Sequence, residues 1–411
     1  MPPSVTPESI RQAAALMHGA VLRTPLVEAS RLAEEISCRL FLKLENLQIT
    51  SSFKARGAFV KLNGLSDNER QRGVIALSAG NHAQGVAYHA ARLGIPATIV
   101  MPATTPFSKI ERTRAHGARI VLEGRTLADC QPAVDRLIEQ DKLVLVHPYD
   151  DPDIVRGQGT IGLEILEDTT DLDDIIVPIG GGGLMSGIAI AIKEARPDVR
   201  LIGVQVDSFP AMYRTLKGLP PRFGTSTLAE GIAVKVPGGI TKEIIADLVD
   251  EIVLVPETMI ERAVQVLIEQ QRLVVEGAGA AGVAALLNDP GRFAGRSIAT
   301  VICGGNIDSR VLASVMMRGL VRDGRMVRLR VEISDEPGVL ATIARLIGDT
   351  GGNIVEVYHQ RLFQDVPVKQ AELDAVIETR NAEHVREIMA RFAEHGLRAR
   401  LLSANTLDGP S

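Results

Sequence analysis

Over its first three quarters the chain alternates short β-branched runs with amphipathic stretches, and no other feature narrows the fold as much. Strands are expected at 74–77, 97–101, 118–122, 143–146, 174–179, 201–206, 251–255 and 297–302. Helices are expected between them at 83–93, 107–115, 184–194, 256–272 and 278–287. Near the start, Thr6 before Pro7 and Glu8 marks a further helix, with a hydroxyl cap, a proline in the first turn and an acid beside the helix dipole. Strands that alternate with helices pair in parallel, and parallel sheets are covered by helices on both faces. The class is therefore α/β. Ligands of such sheets bind beyond the carboxyl ends of the strands, so chemistry is to be sought in the turn after each strand.

The pattern changes near Asp323-Gly324-Arg325. Residues 326–402 read strand, helix, strand, strand, helix, strand, and 327–333 alternate charged with apolar residues, as a half-exposed sheet does. A separate small α+β domain with helices on one face is expected there. Two or three structural units suit 411 residues at ~100–200 residues per domain. With aromatic residues at 3% and no Trp, the core must be built from Ala, Val, Ile and Leu.

The net charge of −5 is spread along the chain and offers nothing to nucleic acid or an anionic membrane. No run approaches the ~20 apolar residues of a membrane helix. Met1-Pro2-Pro3-Ser4 lacks the basic-then-apolar order of a secretory signal, and Cys38, Cys130 and Cys303 follow no disulfide or metal spacing. A soluble, cytoplasmic protein with reduced thiols is expected.

Four segments carry chemistry. In Thr50-Ser51-Ser52-Phe53-Lys54-Ala55-Arg56-Gly57-Ala58, an amine sits between small hydroxyl residues and a small-residue helix start. Once desolvated, such a lysine has a lowered pKa and forms a Schiff base with an aldehyde. Ser78-Ala79-Gly80-Asn81-His82-Ala83-Gln84-Gly85 joins a strand to a helix, where free N–H groups bind a carboxylate or simply make an ordinary cap. Gly180-Gly181-Gly182-Gly183-Leu184-Met185-Ser186-Gly187 also follows a strand. Its glycines suit a backbone wrapped around a phosphate; a tight helix–strand turn is the alternative. It lacks the Gly-Lys-Ser/Thr ending of a nucleotide P-loop, and it fits a dinucleotide fingerprint poorly. Ile302-Cys303-Gly304-Gly305-Asn306 ends the last strand of the main domain with a thiol and a polar tip.

Together these segments, with Lys43-Leu44-Glu45-Asn46-Leu47-Gln48 upstream of the lysine, resemble the threonine dehydratase (threonine ammonia-lyase) family of fold-type-II pyridoxal-phosphate enzymes. The likeness runs over essentially the whole chain. It implies a tryptophan-synthase-β-like catalytic domain over 1–323, built from two parallel-sheet subdomains, the smaller at about 50–150. In that family's pattern Lys54 holds pyridoxal 5′-phosphate and acts as the base at Cα, and Phe53 lies against the ring. Asn81 bonds the ring hydroxyl, and Ser78, Ala79, Gly80, Asn81 and His82 receive the substrate carboxylate. Gly180, Gly181, Gly182, Gly183 and Leu184 bind the phosphate, and Cys303 meets the pyridine nitrogen, where many relatives carry Ser. The reaction implied is conversion of L-threonine to 2-oxobutanoate and ammonia, and of L-serine to pyruvate, in isoleucine biosynthesis or threonine catabolism.

Asp335-Glu336-Pro337-Gly338-Val339-Leu340 followed by Gly351-Gly352-Asn353-Ile354 resembles an ACT domain, expected over 326–405 with a ferredoxin-like α+β fold. That resemblance implies an allosteric amino-acid effector flanked by Gly338 and Asn353, and a homo-oligomer, dimer or tetramer, paired through this module. The module could also serve assembly alone. Glu230 lies where some relatives bind a cation; a single carboxylate makes no metal site, and none is expected. A hydroxyaspartate dehydratase is the alternative within the same fold. A serine racemase is disfavoured because Ala79 stands where racemases carry a proton-bearing Ser. A non-catalytic amino-acid sensor and a Rossmann-type oxidoreductase are the readings from other classes.

Overall fold

The eight strands expected before residue 303 all form, and they sort into two sheets. In this computed structural model, which describes residues 5–360 and 370–402, the chain divides into two units, 1–307 and 308–411. Within the first unit, a four-stranded parallel sheet runs in the order Arg119–Leu122, Ala97–Met101, Val74–Leu77, Val144–Leu145. A six-stranded sheet runs Leu26–Glu28, Arg39–Lys43, Ser297–Val301, Asp174–Pro178, Arg200–Val206, Glu251–Val255. All of its pairs are parallel except that of the first, edge strand.

The strand order fixes where a ligand can enter. From Val74–Leu77 the chain steps outward to two neighbours and then returns to the other side of that strand. From Asp174–Pro178 it does the same in the larger sheet. Loops leaving these two strands therefore diverge around a crevice at a topological switch point. They are the loops that carry Ser78–His82 and the four glycines.

Two strands, Leu26–Glu28 and Arg39–Lys43, escaped the sequence reading. Arg39-Leu40-Phe41-Leu42-Lys43 is short and bounded by charges, yet four of its five residues are buried. Lys43 is fully buried because its Nζ meets Glu164 at 2.6 Å and donates to the Thr24 carbonyl at 2.6 Å.

Aliphatic side chains fill the interior, as the low aromatic content requires. Helix Gly277–Asn288 is buried along nearly its whole length by Gly and Ala. A Cβ at Gly282 would lie 1.9 Å from Thr300 Oγ1, so only glycine lets this helix lie against the central strand.

The second unit opens with helix Ser309–Arg322 and continues Met326–Ser334, Val339–Asp349, Asn353–Gln360, Gln370–Glu378, Ala382–Glu394, Arg398–Leu402. Its antiparallel sheet has the order Asn353–Gln360, Gln370–Glu378, Met326–Ser334, Arg398–Leu402. Leu329, Val331 and Ile333 alternate inward onto Ile343, Ile347, Ile388 and Phe392, leaving the opposite face polar. Residues 361–369 and 403–405 of the expected ACT span lie outside the described residues.

Candidate active site

Lys54 begins the helix Lys54–Asn63, after a loop under backbone strain. Thr50 (φ 64°) and Ser51 (φ 55°) adopt the left-handed conformation that β-branched and other L residues rarely take. The strain is held in place from the end of strand Ser297–Val301. Gly305 N–H donates to the Ser51 carbonyl at 2.9 Å, Asn306 Nδ2 donates to the Thr50 carbonyl at 2.8 Å, and Phe53 N–H donates to the Cys303 carbonyl at 3.1 Å. Lys54 is thereby tied to the Cys303 strand end.

The Lys54 Nζ donates to the Pro148 carbonyl at 2.6 Å and lies 5.1 Å from the centre of the Phe53 ring. Burial draws its pKa down from 10.5 to about 8, against the opposing pull of the Glu276 carboxylate. A substantial neutral-amine fraction near physiological pH is the result. Cys303 is 2% exposed, and burial holds its thiol well above the usual range, so it stays neutral.

Ser78, Ala79 and Gly80 lead into helix Asn81–Leu93, which has no side-chain cap, so the first-turn N–H groups are open for a ligand. His82 donates through Nε2 to the Val146 carbonyl at 2.8 Å, the tautomer following from that partner. Burial first, and then the charge of Lys54, push it down to about 3, so it is a neutral ring.

The glycine loop has the same design. Gly182, at φ 105°, precedes helix Gly183–Ala195 and offers its first-turn amides. A Cβ on Gly181 would fall 2.2 Å from the Tyr149 ring, and one on Gly182 2.7 Å from Thr241. Thr241 braces the loop by donating to the Gly181 carbonyl at 2.6 Å, and Asp150 accepts N–H bonds from Gly239, Ile240 and Thr241.

Phe53, Lys54, the residues from Ser78 to His82, the four glycines, Leu184 and Cys303 all line one cavity of about 330 Å³. Gly338 and Asn353 lie in the second unit, at the head of helix Val339–Asp349 and the first residue of strand Asn353–Gln360. The cavity also holds groups the sequence did not point to: Pro148, Tyr149, Lys109, Arg112 and Glu276. Glu276 accepts from Asn81 Nδ2 at 2.8 Å, and burial raises its carboxyl to about 7. Glu230, also in the cavity lining, pairs with Lys109.

Residues 17–304 match the family described as pyridoxal-phosphate dependent enzyme, and residues 323–394 match the ACT domain. An L-threonine ammonia-lyase from Thermotoga maritima is 45% identical over 97% of this chain and 100% of its own length. The chain belongs to the pyridoxal-phosphate dependent enzyme family. Among solved structures, the processed form of threonine deaminase isoform 2 from Solanum lycopersicum superposes with a TM-score of 0.71 at 34% identity, covering 75% of this chain and 87% of that one. Serine racemase from Dictyostelium discoideum gives 0.70 at 32%, over 74% and 99%. The pyridoxal-phosphate fold of this family is fold type II, with the ACT module following it. The cofactor fits the residues present: an amine of lowered pKa, a flat apolar ring beside it, a neutral thiol, and an amide cradle whose Gly181 position admits no side chain.

Proposed function

We propose that this chain removes the β-hydroxyl and the amino group of L-threonine, giving 2-oxobutanoate and ammonia, and that it converts L-serine to pyruvate. The observation that carries this reading is the Lys54 amine, drawn down to about 8 within a cavity that also holds the amide cradle and the neutral thiol. Pyridoxal phosphate, when bound, supplies an aldehyde for the substrate amine and a conjugated ring that takes up electron density from Cα.

Lys54 would anchor that aldehyde, and its amine, neutral at the lowered pKa, would take the substrate's Cα proton. Gly180, Gly181 and Gly182 in the loop, and Gly183 and Leu184 in the first helical turn, would hold the phosphate through their backbone N–H groups. Phe53 would face the ring, Asn81 would bond its hydroxyl, and the Ser78–His82 turn would receive the substrate carboxylate. Cys303 would meet the ring nitrogen as a neutral thiol, unable to hold a proton there as a carboxylate does. A neutral partner there would favour loss of the β-hydroxyl together with the Cα proton, the two leaving as the elements of water. The released enamine takes up water and gives the 2-oxo acid and ammonia.

The finer reading extends to a cytoplasmic homo-oligomer, dimer or tetramer, with an amino-acid effector flanked by Gly338 and Asn353. One observation favours a second substrate. Lys109 and Arg112 both line the cavity, and a hydroxyaspartate β-carboxylate needs such cations. Lys109 is already paired with Glu230, which leaves less charge for that role.

Assay of 2-oxo acid and ammonia from L-threonine, L-serine and 3-hydroxyaspartate separates the readings. Expected is a kcat/KM for threonine at least about tenfold above that for 3-hydroxyaspartate, a difference of ~1.4 kcal/mol in transition-state binding. Preference for 3-hydroxyaspartate overturns the threonine assignment in favour of the second reading; no turnover of any of the three overturns both.

A further inference from the structure

Asn81 is not free to choose which end of its amide it presents. The Thr50 carbonyl can only accept, and Asn306 Nδ2 lies 2.8 Å from it. That fixes the amide orientation of Asn306. The same Nδ2 lies 2.8 Å from Asn81 Oδ1, so the Asn81 oxygen is the acceptor. Its Nδ2 must then face the Glu276 carboxylate, which it does at 2.8 Å, leaving its second N–H uncommitted among the described residues. A flipped Asn81 would set amine against amine at Asn306 and, with Glu276 ionised, oxygen against carboxylate.

Glu276 is itself held. Its N–H donates to the Gly304 carbonyl at 3.1 Å, and its carboxylate receives the Asn306 backbone N–H. A Cβ on Gly304 would lie 2.5 Å from Glu276 Oε1 and 3.1 Å from Asn81 Nδ2, so glycine there leaves room for the contact.

We propose that Glu276 and Asn306 are positioning residues that lock the Asn81 amide so that it meets a ligand in the cavity only as a hydrogen-bond donor. The inference rests on the reading of Asn81 as the partner of the cofactor's ring hydroxyl. A donor held there stabilises the ionised hydroxyl, whereas a flipped acceptor repels it. The strain at Thr50 and Ser51 and the aim of Asn81 thus share one anchor, Asn306.

The test is the rate at which the full-chain holoenzyme loses its cofactor on dilution, followed by disappearance of the visible band. Asn81→Ala is expected to speed release about tenfold, the worth of one hydrogen bond to a charged oxygen. Glu276→Met and Asn306→Leu each do the same within a factor of about three, because each frees Asn81 to turn. Glu276→Gln keeps an acceptor at the same reach and restores release to within about threefold of the unaltered protein. In the Asn81→Ala background Glu276→Met has no further effect and Asn306→Leu keeps only the part it owes to its bond with the Thr50 carbonyl, the signature of residues acting through Asn81. Undiminished effects in that background, or Glu276→Gln as damaging as Glu276→Met, overturn the positioning role alone. An Asn81→Ala variant that releases cofactor at the normal rate overturns the assignment of Asn81, and this inference with it.

Discussion

Lys54→Ala is expected to slow conversion of L-threonine by about 10⁴-fold or more, since loss of a general base alone is worth ~10²–10⁴. The same substitution removes the anchor for the cofactor's aldehyde, so two functions disappear with one amine. The fold is expected to survive. The Lys54 amine donates to the Pro148 carbonyl, and the charge lost with it is one that burial already disfavours. Lys54→Arg is expected to be as inactive, because a guanidinium stays protonated and can neither attack an aldehyde nor accept a proton. The check is kcat under saturating cofactor and substrate, with thermal unfolding as the control. A loss of less than about a hundredfold in Lys54→Ala contradicts the assignment of Lys54 as the base.

The second large effect is on stability and comes from two residues further along the same helix. Arg56 is 1% exposed, and its guanidinium bridges two carboxylates, Glu45 at 2.7 and 2.9 Å and Glu164 at 2.6 and 2.8 Å. Arg56→Leu strands Glu45, itself fully buried, with the Thr24 hydroxyl left as a side-chain partner. Breaking a buried pair from one side costs about 3–5 kcal/mol, a large part of a typical total of ~5–15 kcal/mol. Burial pushes the Glu164 carboxyl up, but Arg56 and Lys43 outweigh it and hold it below the ordinary 4.5. Stability from that pairing is therefore present above the ordinary carboxylate pKa and fades as pH falls through the lower, folded value. Urea unfolding at neutral pH is expected to show a clearly lowered midpoint for Arg56→Leu. An unchanged midpoint shows that the cluster contributes nothing net.

Local chemistry made most of this architecture readable. Val74-Ile75-Ala76-Leu77 and Asp174-Ile175-Ile176-Val177 are buried on both faces, so their runs are continuous and carry their own strand signal. The loops that follow them are rich in Gly, Ser and Asn and lead into helix N-termini without side-chain caps, which are suited to anions. Arg39–Lys43 was missed because its burial depends on Glu164, a partner far along the chain that no local pattern announces. Glu276 was missed for a related reason. Ahead of Gly277-Ala278-Gly279-Ala280 it reads as an ordinary acid at a helix start, and only the approach of Asn81 from the other subdomain gives it a task. Tyr149 reads as a loop aromatic, although its ring is what forbids a side chain at Gly181. Asn306 was legible as a polar tip, but its bonds to Thr50 and Asn81 were not.

The most direct test is to reduce the purified holoenzyme with borohydride, digest it, and find the peptide that carries the cofactor by mass spectrometry. The expected result is a single labelled site at Lys54, with labelling lost when L-threonine is added before the reductant. A cofactor fixed to any other lysine, or none fixed at all, contradicts the assignment of Lys54 on which the proposed chemistry depends.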